Sequence, residues 1–161
     1  MTRARDPAAG LTLIEVLVAL AIVGVMTGVT VLSLDMLDRG GRAEAEAMRL
    51  ADRLRLASDQ ALLSGGVLAL AWNARGYRFL RWDAGADAWQ ESPLPLLGAP
   101  HRLPSALRLE RPGSEGNPPV LISFDPPQPP VQLQVSGNED RWAVTFDGLD
   151  AVVADLGPRD G

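Results

Sequence analysis

Glu15 is the residue whose chemistry most needs an explanation. It is the one charge in the run Leu11 to Leu34, L-T-L-I-E-V-L-V-A-L-A-I-V-G-V-M-T-G-V-T-V-L-S-L. A carboxylate in an apolar helix costs on the order of 2.5–3.5 kcal/mol at a bilayer centre, and less near a helix end. It either snorkels to an aqueous interface or finds a cationic partner. Directly before the run stands Gly10. Side chains of catalytic type are sparse elsewhere. The single histidine, His101, lies in A-P-H-R-L-P between prolines and reads as a loop histidine. No G-x-S-x-G elbow, P-loop, G-x-G-x-x-G or H-E-x-x-H is present, and cysteine is absent. The acid pairs in D-A-G-A-D (Asp83 to Asp87) and N-E-D (Asn138 to Asp140) have a spacing open to calcium, but they read more simply as solvated turn charge. The sequence therefore points to no catalytic residue, no metal and no cofactor, and the expectation is a protein that is not an enzyme.

The elements that must position Gly10 and Glu15 are legible from periodicity. Residues 11–34 would form a helix roughly 36 Å long, enough for a hydrocarbon core of about 30 Å. Arg3 and Arg5 precede it against a single Asp6, whereas Asp35 and Asp38 follow it before Arg39 and Arg42. The positive-inside rule puts the N-terminus in the cytoplasm and the bulk of the chain outside. The run is longer than the apolar part of a secretory signal and lacks an A-x-A cleavage site. Gly24 and Gly28 have the G-x-x-x-G spacing that lets helices approach closely in lipid.

Beyond Leu34 the pattern becomes one-sided. Ala43, Ala47, Leu50, Leu54, Ala57 and Ala61 recur at spacings of three and four, with Glu44, Glu46, Arg49, Asp52, Arg53 and Arg55 off that stripe. Residues 35–64 thus read as an amphipathic continuation of the helix. Gly40 and Gly41 predict a bend or loosened turn, and Ser64-Gly65-Gly66 a helix end. From Val67 onward, short strand-like runs alternate with turn signals. Val67 to Trp72 and Tyr77 to Trp82 fit a hairpin across N-A-R-G. Leu107–Arg111, Val120–Phe124, Val131–Val135, Arg141–Phe146 and Ala151–Ala154 bring the expectation to about seven strands. The proline-broken stretch Ala84 to Pro104 is expected to be the least ordered, and the four tryptophans, Trp72, Trp82, Trp89 and Trp142, to build core.

Composition agrees with one domain plus an anchor. The chain has 161 residues, 47% of them hydrophobic, and a net charge of −5 in which every basic side chain is arginine. That balance argues against nucleic acid as a partner.

A short polar leader ending in Gly10, followed by L-T-L-I-E and an unbroken apolar helix, resembles the class III signal of type IV pilins and type II secretion pseudopilins. The resemblance implies a leader of residues 1–10, cut by a prepilin peptidase between Gly10 and Leu11, and N-methylation of Leu11, where phenylalanine or methionine is commoner. Glu15, the fifth mature residue, would pair with the N-terminal ammonium of a neighbouring subunit and so set register, and Gly24 and Gly28 would serve helix packing. A helix half in the membrane that leads into a β domain with G-Y-R-F-L early in it looks like the H-type minor pseudopilins and the FimT-like minor pilins. The implied fold is α+β and pilin-like: a transmembrane helix (11–34), its amphipathic continuation (35–64) and a periplasmic antiparallel sheet or sandwich domain (67–161).

The implied function is that of a structural minor subunit near the tip of a type II secretion pseudopilus in the bacterial inner membrane. The implied partners are other pseudopilins, prepilin peptidase, the inner-membrane assembly platform and exported cargo. The alternatives are a minor type IV pilin for adhesion, motility or DNA uptake, and a membrane-tethered periplasmic enzyme or binding protein.

Overall fold

The structure, a computed structural model, describes residues 13–124, 128–138 and 140–158. The chain divides into two compact units, Met1–Asp38 and Arg39–Gly161. One helix, α1 (Leu13–Ser64), contributes residues to both. In the first unit its side chains Ile14, Val16, Leu17, Val18, Leu20 and Ile22 are all exposed. At 100° per residue these positions are spread round most of the helix, with Glu15 the one charge among them, so this segment shows no single buried face. Among the described residues no helix is long and apolar enough to cross a membrane; the expected span, residues 11–34, extends beyond the side chains described.

The second unit begins where α1 acquires a single buried face. Ala43, Ala47, Leu50, Leu54, Ala57 and Ala61 are each at most 1% exposed, and Ala51 and Ser58 join them. The helix is continuous through Gly40 and Gly41, where a bend or loosened turn was expected. The two glycines lower helix propensity by about 1 kcal/mol each relative to alanine, and flanking turns of good helix formers outweigh that. The helix ends as the sequence predicts: Gly65 takes a φ of +60°, and the Ser64 hydroxyl donates to the Gln60 carbonyl at 2.7 Å.

Nine strands follow among the described residues: β1 (Leu68–Asn73), β2 (Gly76–Asp83), β3 (Ala88–Glu91), β4 (His101–Arg102), β5 (Arg108–Glu110), β6 (Val120–Ile122), β7 (Val131–Ser136), β8 (Asp140–Phe146) and β9 (Ala151–Pro158). They build two antiparallel sheets. Sheet A has the order β3-β2-β1-β6, with β4 also on β2; sheet B has the order β5-β7-β8-β9. The expected hairpin is present, in register from Leu68 opposite Arg81 to Asn73 opposite Gly76. Alternation sends Leu68, Leu70, Trp72, Tyr77 and Phe79 of sheet A, and Leu133, Val135, Val144 and Phe146 of sheet B, into one apolar cluster with the α1 stripe.

The two strands beyond the expected seven lie in the stretch expected to be least ordered. Residues 84–104 hold β3, the short helix α2 (Pro95–Gly98) and β4. Asp83 organises the first turn, its Oδ1 accepting the backbone N–H groups of Gly85 and Ala86 at 2.9 and 3.3 Å. Across that turn Trp82 meets Trp89 edge to face, with ring centroids 5.3 Å apart. Trp72 is core, but Trp89 is 39% exposed and Trp82 and Trp142 are half-buried, so the expectation that the tryptophans build core holds fully for Trp72.

Sheet B is tied to α1 at the β8–β9 turn. Arg55 Nε donates to Asp150 Oδ1 at 2.6 Å and its Nη2 to the Ala151 carbonyl, while Ser58 Oγ donates to the Gly148 carbonyl at 2.8 Å. The Arg55 guanidinium and the Ala151 N–H hold the Asp150 carboxyl below its ordinary range, and the N–H groups of Asp150 and Leu149 do the same for Asp147. Carboxyls depressed in the folded state contribute stability above their unfolded value and lose it as the pH falls through the folded one. The unfolding temperature should therefore fall with acidification below about pH 4, where unfolded carboxylates begin to bind protons. In Asp150→Asn that fall should be shallower; an unchanged acid slope would remove this pair from the account.

A second prediction concerns Gly76. A Cβ there would lie 2.2 Å from the His101 carbonyl oxygen, so only glycine lets β4 close on β2. Gly76→Ala should lower stability by about 1–3 kcal/mol, the usual cost of overpacking, measured by denaturant unfolding of the full chain in detergent.

Candidate functional site

Gly10 and Leu11 lie outside the described residues. Glu15, Gly24 and Gly28 fall within α1, but their surroundings are also outside what the structure describes.

What the structure brings together, and the sequence did not announce, is a polar junction between α1 and sheet A. Glu46, read from the sequence as lying off the buried stripe, is only 7% exposed. One oxygen accepts from Arg49 Nη1 at 2.5 Å; the other stands 2.6 Å from Nε2 of His101 on β4, which is 14% exposed at its side chain. A carboxylate only accepts, so His101 carries its proton on Nε2 and donates it to Glu46. The His101 ring also lies 5.0 Å from the Tyr77 ring, and Arg53 sits over that tyrosine ring with Cζ 5.6 Å from the centroid.

The expectation of a loop histidine is thereby corrected. His101 is a clasp that holds β4 onto the helix. The signal in the sequence was too thin to find it: Glu46 and His101 are 55 positions apart, and nothing in A-P-H-R-L-P names an acid partner.

Tyr77 is the enclosed member of this junction. Burial pushes its phenol up to about 12, against the pull of the nearby Arg53 charge. Its hydroxyl and Arg53 Nη1 are buried without a hydrogen-bond partner among the described residues. Such a pair invites an ordered water. His101 meets the Glu46 carboxylate and the Tyr77 ring here, and these contacts fasten β4 to α1.

The clasp can be tested energetically. His101→Ala leaves the Glu46 carboxylate short of a donor and should cost about 1–3 kcal/mol. In a double-mutant cycle with Glu46→Gln, the two changes should be non-additive by about 0.5–3 kcal/mol; additivity would mean that the contact fastens nothing.

Residues 5–31 match the family model of the prokaryotic N-terminal methylation motif. Type II secretion system protein H of Pseudomonas aeruginosa is 34% identical over 95 residues, which cover 59% of this chain and 53% of that protein. The match thus spans about half the length of the curated relative. Two structures of the minor pseudopilin EpsH from the type II secretion system of Vibrio cholerae share the fold, with TM-scores of 0.59 and 0.57 at 22% and 18% identity. Each likeness covers 74% of this chain and 99% of the other. The expected α+β pilin-like architecture is thereby borne out. The chain thus carries a prokaryotic N-terminal methylation motif, is similar over 95 residues to a type II secretion system protein H, and shares its fold with a minor pseudopilin.

Proposed function

We propose that the chain is an inner-membrane precursor, N-terminus in the cytoplasm, that a prepilin peptidase cuts between Gly10 and Leu11. The mature subunit enters a short periplasmic pseudopilus near its tip and serves protein export across the outer membrane. Its work is assembly. The observation that carries this reading is the overlap of motif and scaffold: the matched methylation motif, residues 5–31, runs into α1, and α1 runs on to seed the two-sheet domain.

Physical chemistry supports the separate roles. Gly10 has no side chain to obstruct a protease at the scissile backbone. Glu15, inside an apolar helix, gains a partner if it meets the new N-terminal ammonium of a neighbouring subunit, since each charge offsets the desolvation of the other. Gly24 and Gly28 offer a close-packing face to an adjacent helix. The β domain would then meet other pseudopilins, the assembly platform or exported cargo.

Intact-mass measurement after coexpression with a prepilin peptidase tests the reading. The expected product begins at Leu11, with or without one added methyl, and neither a peptidase-free culture nor Gly10→Val yields it. An unprocessed chain, or a cut beyond Leu34, would leave a tethered periplasmic protein as the better description.

A further inference from the structure

The end of sheet A where the β1–β2 turn meets β4 carries an open groove of about 680 Å³. Ala71 and Gly76 are among its lining residues, so no bulky side chain rises from that part of it. Every ionisable residue that lines it is basic, phenolic or a histidine, and the cations are Arg75, Arg78 and Arg102. This occurs in a chain whose net charge is −5. The alternation of β2 puts Arg78, opposite Ala71, on the face of sheet A away from Tyr77 and Phe79, and therefore away from the core.

The three guanidiniums are only lightly engaged. Arg102 is exposed and makes no ion pair among the described residues. Arg78 has Glu91 at 4.0 Å, with both side chains more than half exposed, a pair worth little in water. Arg75 gives one N–H, from Nη1, to the Ser105 carbonyl at 2.7 Å, which leaves most of its five donors for another acceptor. Guanidiniums arranged around a shallow floor are suited to carboxylates, which they can hold by paired hydrogen bonds.

We propose that this groove is a docking site for an acidic, extended segment of a partner polypeptide, held by Arg75, Arg78 and Arg102. The charge of the groove selects the partner. The acidic β8–β9 turn of a second copy is a poorer occupant, because Asp147 and Asp150 there already accept from backbone N–H groups and from Arg55. The proposal is independent of processing at Gly10, since peptide binding reads the same whether or not the leader has been removed.

The test uses the full chain in detergent micelles and a fluorescein-labelled peptide of alternating glutamate and valine, followed by anisotropy. Saturable binding that weakens with added salt is expected, with the glutamine-for-glutamate peptide binding at least about tenfold more weakly. Arg78→Glu with Arg102→Glu should also cost about tenfold or more, and the milder Arg78→Gln with Arg102→Gln a smaller loss in the same direction. Arg108→Glu, an exposed charge change on sheet B, is the control and should leave binding within about twofold. No saturable binding, equal binding of the two peptides, or equal loss with Arg108→Glu would overturn the proposal. Sedimentation that shows self-association dependent on Arg78 and Arg102 would do so as well, in favour of a second copy.

Discussion

The packing of one narrow face of α1 against both sheets is the constraint on which the rest of the β domain depends. That face is mostly alanine, with Leu50 and Leu54 at its centre. Alanine favours the helix and loses no side-chain entropy on burial, and its short side chain lets the sheets come close to the helix axis. Leu50 and Leu54 then supply most of the apolar area that the middle of this face removes from water. A rotation of one residue would bring Asp52 or Arg55 toward the core, so rotational register is steeply defined. Polar ties fix the remaining freedoms: Glu46 reaches sheet A through His101, and Arg55 and Ser58 reach sheet B through the β8–β9 turn. The helix positions two sheets that share few direct hydrogen-bonded neighbours of their own.

Much of this was legible in the sequence because it rests on periodicity. The three-and-four spacing of Ala43 through Ala61 names the buried face, and N-A-R-G between two alternating runs names the β1–β2 hairpin. Serine and two glycines name the helix end. These signals are local, and the physics behind each acts within a few residues.

What escaped was non-local or depended on turn chemistry. Glu46 looked like a solvent charge because polarity was read without its partner, which arrives from β4. The β3 strand was hidden by D-A-G-A-D, whose first aspartate accepts backbone N–H groups and closes a hairpin. Proline around residues 93–104 marked a break in regular structure and said nothing of the short elements between the breaks. Gly76 was visible as part of G-Y-R-F-L, but the reason for glycine, the approach of the His101 carbonyl, is a contact between strands that sequence spacing does not show. The N-terminal motif was legible for the opposite reason: a glycine ahead of an apolar run and a lone acid within it are read from a linear segment.

The two parts of α1 also place different demands on one secondary structure. Between Ile14 and Ile22 the exposed apolar side chains are spread widely round the helix and Glu15 is the one charge among them, whereas from Ala43 onward a single buried stripe selects one rotation. Asp35, Asp38, Arg39 and Arg42 stand between the two patterns. Each would be costly in hydrocarbon, so in a membrane this cluster would limit how far the apolar segment slides along the normal. Axial position is thus governed by charge and rotation by packing, on a single helix. Rotational register in the β domain is therefore set by the stripe from Ala43 onward, and the arginine-lined groove of sheet A is where the proposed docking would add selectivity.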